Sequence, residues 1–326
     1  MPLHGLKTRA HPPTTCMTTP AALDTLLLAG GSAGVAKEIA DHALSNPFFK
    51  KFSPTFVARG AKVVELDYGT TDDVRLVEEF KGHKAVVLFS GTCPEGDNWS
   101  WKESDRMVDI AKAAGVQRVI PNVFGMDYNL NPEYSWLWPR RLVLEHIVKS
   151  GLEYTEFMVG WFGDFFFDSK LLMVDFDAWK ATLFEPEMDI SITYRDDVAK
   201  YLLASLQHRP AETANRSLRV SSARVSVAEM VRRSERALPS RGPFDITRIA
   251  AERTYDFTTP DDAKPKDGVM INPFLRMASR GTSGWEAEQS DNGLFEGLVE
   301  VRDVWAVLDE KIKQWKEGKA AAPSEE

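Results

Sequence analysis

The stretch LLLAGGSAGVAKEIA, Leu26 to Ala40, contains two overlapping motifs. Its centre matches G-x-S-x-G, in which Ser32 would be the nucleophile of a serine hydrolase. It also matches the glycine-rich turn that holds a dinucleotide's diphosphate at the first crossover of a nucleotide-binding sheet. Both motifs stand between a strand and a helix, so the remaining sequence has to decide between them.

A nucleophilic serine needs a base and a group that orients that base. No HGGG-type segment precedes Ser32, and His146 and His208 lie in predicted helices without the surroundings of a catalytic triad. The diphosphate turn needs only a tight turn, bare backbone and a helix N-terminus. We therefore predict a dinucleotide site. Its turn residues are Gly30, Gly31, Ser32, Gly34 and Val35.

Composition and charge exclude several functional classes. The 326 residues are 43% hydrophobic and 27% charged, as in globular proteins, and the formal net charge is −8. An acidic chain is a poor partner for nucleic acid or an anionic membrane, and no apolar run reaches the roughly 18 residues of a membrane span. We expect no metal site. Cys16 and Cys93 form no C-x-x-C motif and no disulfide framework, which favours the reducing cytoplasm.

Strand and helix patterns alternate from residue 24 to residue 160. This alternation predicts an α/β fold, a doubly wound parallel sheet of the Rossmann type followed by a smaller C-terminal substrate lobe. A capping box of Thr70 and Asp73 is expected to open the helix VRLVEEF. The predicted strands are Thr25–Ala29, Lys62–Leu66, Ala85–Ser90, Arg118–Pro121 and Tyr154–Val159.

The sequence predicts that the chain has four parts. Residues 1–22 are expected to be a disordered tail, residues 23–160 the NAD(P)-binding lobe, residues 161–316 a substrate lobe interleaved with it, and residues 317–326 a second disordered tail.

The substrate lobe has a weaker rhythm of elements. Asp197 is expected to cap the helix VAKYLLASL, and Ser226 with Glu229 forms a capping box before VAEMVRRSERAL. A last amphipathic helix is predicted over Leu298–Trp315. Residues 238–292 are rich in proline, glycine and charge, which predicts mostly loops.

The choice of nucleotide depends on residues about 20 positions after the turn, where an acid would hold the ribose 2′-hydroxyl of NAD. The stretch FFKKFSP has Lys50 and Lys51 there and no nearby acid, which favours the 2′-phosphate of NADP(H). The alternative is that these lysines belong to a solvated loop. No long apolar strand occurs between Leu44 and Ala61, so the second strand is either degenerate or shortened.

Three later stretches carry a family resemblance: RVIPNVFGMDYN from Arg118, WPRRLVLEHIVKSGLEYT from Trp138 and VGWFGDFF from Val159. In order and spacing they resemble the NmrA-like, isoflavone-reductase-like branch of atypical short-chain dehydrogenases/reductases. None of the tyrosines has a lysine four positions later, so the Tyr-x-x-x-Lys pair of the standard short-chain enzymes is absent. The resemblance implies NADP(H) and hydride transfer to a small molecule.

The catalytic lysine of that family falls on Arg140, counted back from Gly151. An arginine stays protonated, so it can polarise a carbonyl oxygen or anchor a carboxylate but is a poor base. The alternative for Arg140 is a solvated first helical turn, although a cation there opposes the helix dipole. Asp164, which matches the aspartate of the family's G-x-F-x-D segment, is the second predicted catalytic residue, because a protonated carboxyl can donate to the substrate. Alternatively, it caps a turn.

Further site residues follow from strand ends, because ligands bind at the carboxyl edge of open α/β sheets. Ser90, Gly91, Asn122 and Phe124 are the additional predicted cofactor contacts. An excess of aromatic residues near two strand ends predicts a pocket for a flat substrate, although such clusters are commonly core. The predicted pocket residues are Tyr128, Trp161, Phe162 and Phe165.

These features favour an NADPH-dependent oxidoreductase that reduces a C=O or conjugated C=C bond of a small, aromatic secondary metabolite. The partner is then a small-molecule substrate, and the chain is a monomer or a homodimer. Two alternatives stay open. The protein is an NAD(P)-binding sensor without turnover, which Arg140 supports, or a non-redox isomerase or cyclase with NADP(H) as a structural cofactor.

Overall fold

A computed structural model gives the fold, and it is an α/β structure built on a doubly wound, parallel Rossmann sheet. The structure describes residues 23–30, 34–45, 51–53, 66–67, 70–89, 99–130, 138–166, 173–250, 277–278, 281 and 283–317.

In chain order the described strands are β1 Thr25–Ala29, β2 Lys51–Ser53, β3 Ala85–Leu88, β4 Arg118–Pro121, β5 Glu153–Met158, β6 Trp161–Phe162, β7 Val174–Asp175, β8 Lys180–Glu185, β9 Asp189–Thr193, β10 Arg216–Arg219, β11 Ala223–Ser226 and β12 Asp245–Ala250. The described α-helices are α1 Val35–Leu44, α2 Asp73–Phe80, α3 Trp99–Ala113, α4 Trp138–Ser150, α5 Gly163–Phe166, α6 Arg195–Gln207, α7 Val227–Ala237 and α8 Val304–Lys316.

The main sheet has six strands in the order β10-β5-β4-β3-β1-β2, and all neighbours are parallel. The chain leaves β1 for β2 on one side and returns to β3 on the other. The order therefore reverses at β1, and the crevice at the carboxyl ends of β1 and β3 is the position where such sheets bind ligands.

Strand β1 shows why the sheet is covered on both faces. Leu26 and Leu28 pack with α1 and α6, whereas Leu27 and Ala29 pack with α2, α3 and α4. Alternate side chains of a strand point to opposite faces, so a strand buried on both faces needs a continuous apolar run. The run TLLLA meets that requirement and places the following glycine turn at a fixed edge.

The second part of the chain adds two three-stranded sheets, ordered β11-β9-β6 and β12-β8-β7. They share one apolar core with α7 and α8, which includes the stacked rings of Trp179 and Phe244, 3.8 Å apart. Residues after 160 also return to the main sheet, because Arg216–Arg219 pairs with β5.

The described elements confirm most predicted ones and correct others. Strands β1 and β4 have the predicted bounds, and β2 is a three-residue strand, which is compatible with both alternatives for this segment. The N-cap of α2 is Asp72, not Thr70, because the Asp72 carboxylate accepts the N–H of Arg75. The predicted tail of residues 1–22 and residues 62–65 lie outside the described residues.

Three corrections and one confirmation concern the residues after 160. Helix α6 begins at Arg195, so Asp197 lies inside its first turn and does not cap it. Strand β12 occupies residues 245–250, which had been predicted as loop. Ser226 is the N-cap of α7 and accepts the N–H of Glu229, as predicted. The last helix begins at Val304, six residues after the predicted start.

Candidate functional site

The crossover from β1 to α1 begins and ends at glycines with positive φ. Gly30 has φ 82° and Gly34 has φ 60°, a backbone region that other residues rarely adopt. Gly34 is the N-cap of α1, and among the described residues no side chain caps this helix end. Bare backbone at an uncapped helix N-terminus is the arrangement that binds phosphate. Gly31 and Ser32 lie outside the described residues, so the structure does not test the serine-nucleophile alternative.

A side chain that the sequence did not single out lies beside this turn. Arg195 is the first residue of α6, and a Cβ atom added to Gly34 would lie 3.9 Å from its Nη1. The Arg195 side chain is only 17% exposed. The ring of Phe165 packs against it, with the guanidinium carbon 5.3 Å from the ring centroid. The structure therefore places a largely buried cation next to the glycine turn.

Asp164, which the sequence predicts as catalytic, contacts Arg195 in two ways. Its Oδ2 accepts the backbone N–H of Arg195 at 2.8 Å, and its Oδ1 lies 3.5 Å from the Arg195 Nε. The first contact satisfies a free N–H at the start of α6. The second holds the guanidinium in place. Direct contact of Asp164 with a substrate stays a prediction.

Arg140 lies in the first turn of α4, at the carboxyl edge of the sheet. A Cβ atom added to Gly125, which follows β4, would lie 3.2 Å from the Arg140 Nη1. Within the described part of the chain its guanidinium makes no hydrogen bond, and the charges that act on it are those of Glu156 and Tyr128. Burial lowers its pKa to about 10, so Arg140 stays positively charged near neutral pH.

Glu156 is the buried acid that faces Arg140. It lies in the middle of β5 and is 0% exposed. Its Oε2 accepts hydrogen bonds from the hydroxyls of Tyr128, at 2.8 Å, and Ser217. Its Oε1 has no hydrogen-bond partner among the described residues. A carboxylate in this position is poorly solvated and only partly compensated.

The Glu156 carboxyl titrates close to neutral pH. Its pKa is raised from 4.5 to about 7, mainly by burial and to a smaller extent by the charge of Asp127. The hydrogen bonds from Ser217 and Tyr128 and the charge of Arg140 act in the opposite direction. Asp127 is itself paired with Arg219 at 2.7 Å. Besides this Asp127–Arg219 pair, the cluster contains a fixed cation, Arg140, and an acid, Glu156, that changes its charge in the physiological range.

The remaining predicted cofactor residues fall into three groups. Asn122 follows β4 at the carboxyl edge and is partly exposed. Val35 and Phe124 are buried in the core beside α1 and α6, where Phe124 packs against Phe157 with centroids 6.4 Å apart. Lys51 is in β2, next to β1, but its side chain is not described. Lys50, Ser90 and Gly91 lie outside the described residues.

The four predicted pocket aromatics do not form one surface. Tyr128 and Trp161 are buried in the core of the second part of the chain. Phe162 packs against the core beside α1 and α6, whereas Phe165 is 46% exposed and meets Phe162 edge-on at 6.2 Å. Tyr128 and Trp161 both contribute to packing, which was the alternative for this cluster, and the Tyr128 hydroxyl also donates to Glu156 beside Arg140. A substrate contact of any of the four stays a prediction. Phe162 and Phe165 stay the better-placed pocket residues.

Two kinds of site are absent from the described residues. No group of three or more His, Cys, Asp or Glu side chains could hold a metal ion. No described helix combines the length and apolarity of a membrane span.

Comparison with protein families connects this geometry to a known group. The profile described as the NmrA-like family matches residues 50–241, more than half of the chain. The chain belongs to the NmrA-like family. The match includes Arg140, Glu156 and Arg195, but it begins after the glycine turn. No curated protein matches the sequence significantly.

Solved structures with similar folds are distant in sequence from this NmrA-like chain. AtPrR2, solved with NADP⁺ and (+)-pinoresinol, is 18% identical with a TM-score of 0.71, and the alignment covers 89% of this chain and 99% of that one. Leucoanthocyanidin reductase from Vitis vinifera, solved with NADPH, is 14% identical with a TM-score of 0.68 and the same coverage. The NADPH-dependent quinone oxidoreductase QOR2 from Escherichia coli is 13% identical with a TM-score of 0.64, over 88% and 99% of the two chains. At these identities the likeness shows the fold.

Proposed function

We propose that this protein is an NADPH-dependent oxidoreductase that reduces a C=O or conjugated C=C bond of a small molecule, with an aromatic secondary metabolite as the expected substrate class. One observation carries the proposal. The Arg140 guanidinium, without a hydrogen bond to any described residue, lies at the same carboxyl edge of the sheet as the Gly30–Gly34 turn. The similar structures solved with NADP⁺ or NADPH support the choice of nucleotide.

The residues of the turn fit a dinucleotide. Gly34 has φ 60°, and the nearest side chain to a Cβ at this position would be Arg195, at 3.9 Å. The backbone is therefore open to a diphosphate, and the nearby side chain has the complementary charge. Lys50 and Lys51 are the proposed contacts of the 2′-phosphate. NADPH supplies a hydride when it is bound.

The proposed role of Arg140 is electrostatic. Reduction of a carbonyl adds a hydride to carbon and a proton to oxygen, and negative charge develops on that oxygen. Arg140 stabilises the charge by hydrogen bonding, because its pKa of about 10 keeps it protonated. It does not supply the proton. Water or another acid delivers it to the oxygen.

The test separates binding from turnover. NADPH affinity is measured by fluorescence titration, and NADPH consumption is then followed with aromatic ketones and enones. Arg140→Gln should lower kcat about 100-fold or more while NADPH affinity changes little. Arg141→Gln is the matched control, because Arg141 is exposed on the same helical turn and pairs with Glu145. Unchanged turnover in Arg140→Gln would refute the assigned role.

Cofactor preference has its own test. Lys50→Glu combined with Lys51→Glu should weaken NADP(H) binding more than NAD(H) binding, because only NADP(H) carries the 2′-phosphate. An equal loss for both nucleotides contradicts the assignment of the lysines.

An NAD(P)-binding sensor is the second candidate function. Arg140 in the position of the family's lysine favours it, and the NmrA-like family includes non-catalytic regulators. A sensor binds the oxidised or the reduced nucleotide tightly and consumes no NADPH with any ketone or enone. Measurable turnover excludes it. Product formation without net NADPH consumption would instead indicate the isomerase or cyclase alternative.

A further inference from the structure

Arg195 has more hydrogen-bonding capacity than the described protein uses. Its side chain is 17% exposed, yet its guanidinium makes no hydrogen bond with any described residue, and Nε is fully buried without a partner. The Asp164 carboxylate is 3.5 Å from Nε, and the Phe165 ring covers one face. A guanidinium has five N–H donors, and only Nε, which faces Asp164, is buried without a hydrogen bond. The Nη donors make no hydrogen bond with a described residue, so they are available to an acceptor that the chain does not supply.

The side chain is directed at the glycine turn. Its Nη1 lies 3.9 Å, and its Cδ 4.0 Å, from the position of a Cβ on Gly34. Gly34 precedes the N-terminus of α1, which carries a partial positive charge from the helix dipole. An anion that lies between the Nη groups and this helix end is attracted by both, whereas Asp164 contacts the guanidinium from the Nε side. The acceptor that suits this position is therefore negatively charged.

Contacts between α1 and α6 hold this arrangement in place. His42 near the end of α1 is 2.6 Å from the Asp196 carboxylate in α6, and Lys200 pairs with the same carboxylate at 2.6 Å. Asp164 binds the Arg195 backbone N–H. The guanidinium is thus presented by a backbone that is fixed on both sides, so little conformational entropy is lost when it binds a ligand.

We infer that Arg195 binds the diphosphate of the dinucleotide, and that Asp164 is the residue that positions it. The inference rests on the proposed function, which places the dinucleotide on this turn. The planar guanidinium donates two parallel N–H groups, which match two phosphate oxygens. The ligand class is an organic diphosphate. A monophosphate or a substrate carboxylate offers similar oxygens, so the experiment includes probes that distinguish them.

The experiment measures equilibrium binding to the full chain by calorimetry, with three probes. NADPH and 2′-phospho-ADP-ribose carry the diphosphate, and adenosine 2′-monophosphate lacks it. Arg195→Gln should weaken binding of the first two by about tenfold to 100-fold, the range for losing a charged hydrogen-bonded contact. Binding of the monophosphate should change less than about twofold, because its contacts do not include Arg195. Arg195→Lys should give an intermediate loss, since it keeps the charge without the planar fork.

Arg233→Gln is the control, because this α7 residue lies far from the glycine turn in the sequence and loses an exposed ion pair with Asp309 and a cation–π contact with Trp305. Thermal denaturation of each variant reports folding, and Arg195→Lys supplies the comparison if the glutamine variant is unstable. Unchanged NADPH affinity in both Arg195 variants overturns the inference and leaves the proposed function intact. An equal loss for adenosine 2′-monophosphate also overturns it, since the effect is then not specific to the diphosphate. A wild-type protein that binds none of the probes refutes both.

Discussion

Glu156→Gln should make the free energy of unfolding less sensitive to pH between about 4.5 and 7. Glu156 is fully buried, and its pKa in the folded protein is about 7, against 4.5 for an exposed glutamate. Between these values the folded state binds a proton that the unfolded state has released. The wild type therefore loses stability as the pH rises through this window.

The size of the loss follows from the shift. Each pKa unit corresponds to about 1.4 kcal/mol, so a shift from 4.5 to about 7 amounts to about 3 kcal/mol. The destabilisation is absent below pH 4.5 and complete above pH 7. Glutamine carries no charge, so the variant lacks this term. Its amide oxygen can still accept from Tyr128 and Ser217, while its NH₂ group needs new acceptors, a cost that does not vary with pH.

Urea denaturation of both proteins at pH 4, 5, 6, 7 and 8 gives the difference in unfolding free energy. We expect this difference to move in favour of Glu156→Gln by about 3 kcal/mol from the lowest to the highest pH. Glu145→Gln is the control, because it makes the same substitution on the surface of α4, outside the buried cluster. A difference that is constant over the series would refute the reasoning, because the buried carboxyl would then titrate alike in the folded and unfolded states.

Three further predictions concern single positions. Gly34→Ala should destabilise the protein by about 1 to 3 kcal/mol in urea denaturation, because φ 60° with ψ −134° is strained for alanine. The control is Gly293→Ala, which should have little effect because the space around Gly293 is open. Asp164→Asn should lower kcat less than about tenfold, because the new amide oxygen still accepts the backbone N–H of Arg195. A loss of kcat above about 100-fold would instead indicate that Asp164 is catalytic. Arg118→Ala should lower the free energy of unfolding by about 3 kcal/mol, because this 2% exposed side chain bonds to Glu153, Thr213 and Pro210. The loss is measured as a lower urea midpoint, and an unchanged midpoint would contradict it.

The fold was predictable because its signals are local. The run TLLLA, the glycines after it and the alternation of strands and helices identify a parallel sheet covered on both faces, with the switch point beside β1. The lack of a long apolar run between Leu44 and Ala61 also agrees with the short β2. The sequence does not indicate strand β12, because DITRIA is half polar and lies in a region rich in proline and glycine. The pairing of this strand with β8 depends on tertiary contacts.

The candidate site was predictable only in part. Glu156 had a signal that was overlooked: it is a charged residue in the middle of a strand predicted to be buried, and such residues are rare without a partner. Arg195 had no comparable signal. In YRDDVAK its position is typical of a solvated residue in the first turn of a helix, and Gly34, which lies beside it in the fold, is far away in the sequence. Only the packing of α6 on α1 brings the two together.

The permanent charge of Arg140 accounts for the buried acid Glu156 beside it. A lysine in the position of Arg140 could lose its proton when buried, and a neutral amine needs no counter-charge. An arginine keeps its charge, so the cost of burying it has to be offset by an anion. Glu156 supplies that anion above pH 7 and is neutral below it, so the net charge around Gly125 changes by one unit across neutrality. An oxyanion formed beside Arg140 is therefore stabilised best on the acid side of pH 7, where it does not compete with the carboxylate.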